Sequence, residues 1–185
     1  MNYAFQILIN RRSVRSFKPD PVPRNVLERI METVVYAPSA RGAQPWHFSV
    51  VTDAALIRRI SGINRELSLA SEDERLKSTA LNQDFCNFYH APAVIIISAK
   101  VAKHSAADCG NAAVYATLAA TALGLGSCFI ASFRPAFESE YGAALKAELK
   151  IPEDYEPHYA VALGYTFGEE PKAAPRLPGR ITWIG

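Results

Sequence analysis

The chain has 185 residues, a formal net charge of +2, 49% hydrophobic and 21% charged residues. That length suits one domain with its own hydrophobic core, needing no disulfide or metal to hold it. The composition excludes a disordered chain, and the near-neutral balance excludes a nucleic-acid partner recognised by bulk charge.

In chain order, Tyr3 to Asn10 carries Phe5, Leu8 and Ile9 at helical spacing. Lys18 to Pro23 is a proline-rich turn. Asn25 is placed to cap a second helix, whose apolar face is Val26, Leu27, Ile30, Met31, Val34 and Val35 and which Pro38 stops. Trp46 to Thr52 has strand character. Asp53 is a candidate N-cap for a short helix bearing Leu56, Ile57 and Ile60 and ending at Gly62. Asn64 to Asn87 is polar and weakly patterned, as a surface helix and loop would be.

Ala93 to Ala99 is a continuous run rich in β-branched residues, the pattern of a strand covered on both faces. Asp108 is placed to cap a long alanine-rich helix ending near Leu123, and its small side chains permit close approach by another helix, as in a central or dimer-interface helix. Ser127 to Ala131 is a short strand, Phe137 to Lys150 a helix ended by Pro152, and Tyr159 to Tyr165 a last central strand. Ala112 to Ile130 has about the length of a membrane span, but Gly124, Gly126 and Ser127 interrupt it, so a buried helix followed by a strand is expected and no membrane partner. The tail, 168–185, holds Pro171, Pro175 and Pro178 yet ends Ile181-Thr182-Trp183-Ile184. It is expected to run extended and dock, with a partner subunit as the expected surface. The whole is expected to be one α+β layered domain over 1–185.

Several chemistries are excluded. Cys86, Cys109 and Cys128 form no CxxC, and His47, His90, His104 and His158 do not pair at metal-ligand spacing, so no metal is expected and a reducing, cytoplasmic setting is. No serine sits in GxSxG, and there is no GxxxxGK[ST]. GLGSCF, from Gly124 to Phe129, lacks a third glycine and runs helix-to-strand, whereas the dinucleotide turn runs strand-to-helix.

Three segments have suitable chemistry for an anionic ligand. Arg11, Arg12, Ser13 and Arg15 (RRSVR) supply guanidinium forks and a hydroxyl fit for phosphate. On local grounds a solvated basic helix end explains them equally well. APSARGAQPW, from Ala37 to Trp46, is ordered by two prolines and offers Ser39 and Gln44 as hydrogen-bonding groups. Taken alone it is better explained as a plain helix-to-strand connection. Lys172 and Arg176 make the tail basic.

Taken together and in this order, RRSVRSFKPDPVP, APSARGAQPWHF, HAPAVIII, DCGNAAVYATLAATALGLGSCFI and IPEDYEPHYAVALGY resemble the shorter members of the nitroreductase family of flavoproteins. The similarity runs from about Phe5 to Arg176. It implies a nitroreductase-like fold, with a central mixed, mainly antiparallel sheet flanked by helices, in an intertwined homodimer with two FMN sites at the interface. By position, Arg11, Arg12 and Ser13 would bind the FMN phosphate and ribityl chain. Arg15 would lie near the N1/O2 edge, where a cation favours the reduced, anionic flavin. Pro38, Ser39, Gly42 and Gln44 belong to the loop expected to cover the flavin edge from the other subunit. Phe129, Ile130, Ala131 and Ser132 would line one flavin face and offer a backbone N–H near N5 or O4. Lys172 and Arg176 would reach the phosphate. Asn82 and Asn87 are candidate contacts in a segment that often shapes the substrate channel. Two residues depart from the family pattern: Gly42 stands where Asn is common, and Phe129 where the nearer relatives have Trp.

The resemblance implies hydride transfer from NADH or NADPH to flavin N5, then to a small nitroaromatic or quinone acceptor, in ping-pong order. No catalytic side chain is expected, because the flavin carries the chemistry. Alternatives on the same fold are flavin storage, breakdown or sensing, a reductase fed by ferredoxin or flavodoxin, and reductive dehalogenation.

Overall fold

The computed structural model describes residues 2–185. Its elements are α1 (Tyr3–Asn10), α2 (Arg24–Val34), a 3₁₀ turn (Ala40–Gly42), β1 (Trp46–Val51), α3 (Ala54–Ala70), α4 (Glu74–Ala80), β2 (Ala93–Lys100), α5 (Ser105–Ala122), β3 (Gly126–Ile130), α6 (Pro135–Glu138), α7 (Gly142–Glu148) and β4 (Tyr155–Gly164). The strands form one sheet in the order β1-β2-β4-β3. Every pairing between them is antiparallel, and the parallel component is a single bridge from Ser13 to Ser127.

The central pair β2 and β4 is covered on both sides, which is why β2 reads as an unbroken apolar run. On one face Ile95, Ile97, Val161 and Leu163 pack with Leu27, Ile30 and Val34 of α2 and Ala112, Ala113, Ala116 and Ala120 of α5. On the other, Val94, Ile96, Ala160 and Ala162 pack with Ile57 and Ile60 of α3, Phe88, Phe133, Phe137 and Leu145. Phe133 stacks edge-on to Phe137 with ring centroids 5.6 Å apart. The ladder between β2 and β4 shifts register between Ile97 and Ser98, so that His158 is the extra residue of a β-bulge.

Several boundaries differ from the sequence expectation, among them that of β4, which begins at Tyr155 rather than Tyr159. Helix α2 starts at Arg24 with Pro23 in the cap position, so Asn25 lies inside the helix and caps nothing; proline at a helix start loses no hydrogen bond. Asp53 does cap α3, accepting from the Ala55 and Leu56 N–H groups, but the helix runs through Gly62 to Ala70. A single helical glycine costs only about 1 kcal/mol, and here the buried face of Ile57, Ile60, Ser61 and Asn64 outweighs it. His104, not Asp108, occupies the cap position of α5. The expected helix from Phe137 to Lys150 is two short helices, because Ser139 is extended and its hydroxyl donates to the Ala136 carbonyl. Gly142 permits the sharp turn between them: a Cβ there would collide with the Phe137 carbonyl.

Candidate functional site

The arginine-rich segment after α1 is stitched to the sheet. The Val14 N–H donates to the Ser127 carbonyl (2.9 Å), Lys18 N–H to Tyr165 O (2.8 Å) and Phe167 N–H to Ser16 O (3.0 Å). This close approach explains Gly126 in GLGSCF. A Cβ there would lie 2.8 Å from Thr166 Oγ1 and 3.0 Å from Val14 Cβ. Gly124 serves a different purpose, reversing the chain after α5 at φ +75.

Arg11 and Arg15 therefore lie beside β3. Burial pushes the Cys128 thiol above its ordinary pKa, while Arg15 and Arg11 pull it back through their charge. The Arg15 guanidinium carbon lies 5.8 Å from the centre of the Tyr89 ring. Interaction with Tyr89, then with Cys128, raises the Arg15 pKa further. Arg12 behaves differently. Its Nη1 donates to the Ile9 and Arg11 carbonyls, at 2.7 and 2.8 Å, so it caps its own helix. Ser127 Oγ is buried and has no hydrogen-bond partner among the described residues.

The second segment is held rigidly from α5. The Asp108 carboxylate accepts from the Ala40 N–H at 2.9 Å, and Asn111 Nδ2 donates to the Pro38 carbonyl at 3.0 Å. Within the loop the Gln44 N–H donates to Ser39 Oγ at 3.0 Å. Arg41, Gly42 and Gln44 all have positive φ (56, 66 and 47). The family's usual Asn at position 42 also tolerates this conformation, so glycine keeps the backbone path and loses only the side chain. Within the chain this loop does not join Arg11–Ser13. It sits at the start of α5, while Arg12 shares a cavity wall with Thr121 and Gly124 at its end. The α5 stretch between Asn111 and Thr121 rises about 15 Å.

The third segment is the end of β3. Phe129 is 38% exposed and packs on Tyr159 with centroids 4.7 Å apart. Ile130 is buried. Ala131 and Ser132 open into a cavity of about 780 Å³, whose walls include Arg75, Asn82, Asn87 and Tyr89. Arg15 thus lies against Tyr89, which is a wall of the cavity that Ala131 and Ser132 also line. Lys172 and Arg176 are not brought to this site. They lie in an exposed, irregular tail, and among the described residues neither makes a hydrogen bond or ion pair.

The sequence offers no signal for Tyr89 or Ser61, and it points Asp108 to the wrong partner. Asp108 is 4% exposed and serves the loop of 37–44, a contact between residues far apart in the chain.

This combination of an antiparallel sheet, an arginine segment laid along its edge strand and a Pro/Gly loop pinned to the central helix defines a protein class. The Nitroreductase family model matches residues 8–165, and the chain belongs to that family. A relative in Archaeoglobus fulgidus named NADH dehydrogenase/NAD(P)H nitroreductase is 28% identical over 176 residues, 92% of this chain and 89% of its own. A nitroreductase from Bacteroides fragilis, solved with bound FMN, is 29% identical, with a TM-score of 0.94 and 100% of both chains covered. Iodotyrosine deiodinase of Danio rerio is 43% identical over 63 residues, 34% of this chain and 21% of its own.

Proposed function

We propose that the chain is an FMN-dependent oxidoreductase, working as a homodimer. In this reading it takes hydride from NADH or NADPH and passes it, in alternating half-reactions, to a nitroaromatic or quinone-type acceptor. The observation that carries this is Arg15 against Tyr89, a wall of the open cavity into which Ala131 and Ser132 face, with Ser13 bridged to Ser127 of β3 and the Arg11 charge felt at Cys128 of the same strand.

The donor set fits FMN. The phosphate needs cations and short donors, and Arg11 and Ser13 supply them; the unpartnered, buried Ser127 hydroxyl lies across the bridge from Ser13. The isoalloxazine needs a cation at one edge, an apolar shelf and a backbone donor. Arg15, the exposed Phe129 ring and the Ala131–Ser132 backbone supply these in turn, while Ile130, buried in the opposite core, supplies none. When bound, FMN supplies the redox chemistry by accepting and releasing hydride at N5. The protein's part is to hold it, orient it and set the local charge. Arg15, already beside Tyr89, favours added negative charge near it. Arg12 contributes to the phosphate only by leaving its helix-capping position.

The homodimer is supported by what one protomer leaves uncovered. Tyr3, Phe5, Leu8 and Ile9 of α1 are 57–66% exposed, and Trp183 and Ile184 of the tail are 90% and 95% exposed. Such surface marks an interface. In the dimer, Pro38, Ser39, Gly42 and Gln44 would come from the partner, and the tail would bring Lys172 and Arg176 across.

Purified protein is expected to be yellow or to become so with FMN, and anaerobic mixing with NADH or NADPH should bleach it rapidly. A colourless protein that takes up no FMN would sink the proposal. Arg11→Ala should weaken FMN binding by about 1.5–3 kcal/mol, the usual loss of a charge-assisted hydrogen bond. A monomer that retains FMN in sedimentation would contradict the shared site. The deiodinase similarity favours a second reading, reductive dehalogenation. Halide release from a halophenol, with no turnover of nitroaromatics, would select it.

A further inference from the structure

We infer that Asn87 is a positioning residue, which through Ser61 and Ser132 aims the end of β3 at the bound flavin. The inference rests on the FMN reading above.

Asn87 is 7% exposed and Ser61 3%. Asn87 Nδ2 donates to both the Ser132 carbonyl (3.1 Å) and the Ser132 hydroxyl (3.0 Å). Its Oδ1 accepts from Ser61 Oγ at 3.4 Å, and its own backbone N–H donates to that Oγ at 2.9 Å. The amide is thus used from both ends and is not available to grip a substrate directly. Beneath it stands helix α3, and above it the exposed turn that follows β3. The same helix holds that turn a second time. Asn64, 2% exposed, donates to the Phe133 carbonyl (3.0 Å) and accepts from the Ala136 N–H (3.1 Å).

The consequence lies at Ser132. Asn87 takes the carbonyl and hydroxyl of this residue, while among the described residues its N–H donates no hydrogen bond within the chain. With its carbonyl and hydroxyl both held, Ser132 has little freedom to turn about its Cα, so the N–H on the other side of that carbon keeps a fixed direction. A fixed donor beside a flavin stabilises the charge gained on reduction, because no reorganisation is needed when that charge arrives. Buried amides with every group satisfied are also costly to disturb, so the latch holds its geometry.

Asn87→Asp is the sharpest test: nearly the same shape, but a carboxylate facing the Ser132 carbonyl cannot donate. Apoprotein is titrated with FMN, and the midpoint potential of the bound flavin is measured at about pH 8 and pH 5, each against wild type. At the higher pH the variant should bind FMN about tenfold more weakly, the scale of one buried hydrogen bond lost to a repulsive contact, and its flavin potential should be more negative than wild type. At the lower pH the protonated side chain donates again and both differences should shrink. Ser49→Ala, on β1, is the reference for plain destabilisation, since its hydroxyl donates at 2.7 Å to the carbonyl of Leu149 at the end of α7, away from the β3 turn. It should lower Tm and leave the potential unchanged. A flavin potential in Asn87→Asp equal to wild type at both pH values would overturn the assignment. If Asn87→Asp does not fold, Ser61→Ala decides, with a smaller shift expected in the same direction and an unchanged potential counting against the latch. Wild-type protein that takes up no FMN would overturn the FMN reading itself, a result distinct from normal FMN binding with an insensitive Asn87.

Discussion

The two faces of the sheet are built by opposite means. One is packed with alanines, Ala112, Ala113, Ala116 and Ala120 of α5, all 0% exposed. The other is packed with rings, Phe88, Phe133 and Phe137, and contains buried polar posts, Asn64, Asn87 and Ser61. Small side chains bring backbones close and leave no slack. Large rings leave polar atoms room to reach across. Each face anchors one loop of the candidate site: Asp108 and Asn111 on the alanine helix hold 37–44, and Asn87 and Asn64 on the ring side hold the turn after β3.

The largest expected effect is on the ring face. Phe133→Ala removes a fully buried ring between Phe88 and Phe137 and should cost about 3–5 kcal/mol in denaturant unfolding. A loss below about 1 kcal/mol would mean the face repacks, and would break the contrast.

Next comes the loop anchor on the alanine face. Asp108→Ala leaves the Ala40 N–H without its acceptor and should cost roughly 1–3 kcal/mol. It should also speed tryptic cleavage after Arg41, followed by mass spectrometry. Unchanged cleavage would show that Asn111 alone suffices to hold the loop. Ala116→Leu tests the lack of slack itself, with an overpacking cost of about 1–3 kcal/mol; a neutral result would mean α5 can move away from the sheet.

The smallest effect is a pH dependence at the β4 bulge. Burial pushes the His158 pKa below its ordinary value, the Arg134 charge pushes it further, and Glu156 opposes. The folded protein therefore binds this proton less readily than the unfolded chain. Its contribution is present above the ordinary histidine pKa and is lost as pH falls through it toward the lower folded value. His158→Gln should narrow the difference in unfolding free energy between about pH 7.5 and pH 5. An undiminished difference would remove His158 from the account.

Which features can be read from the sequence follows from the range of each interaction. Strand β2, the alanine-rich α5 and the Asp53 cap are written in consecutive residues, and sequence reading finds such patterns. Local propensity ends the helix from Asp53 at Gly62, whereas the packing of Ile60, Ser61 and Asn64 that carries the helix onward is not local. Asn64 to Asn87 has the composition of surface because polar residues are usually exposed. Two of those asparagines are buried, and only the hydrogen bonds reaching Ser132 and Phe133 explain why.

Local pattern and motif order were enough for the layered fold class, the family and an arginine segment following the first helix; that the segment lies along β3 is tertiary. The tertiary structure settled how those residues are used. It turned Arg12 onto its own helix, set Arg15 against Tyr89, gave Asp108 to a distant loop and buried Asn87 under Ser132. Each of those pairings joins groups by direction and distance, and a side chain's direction is fixed only after the helices and the sheet have packed.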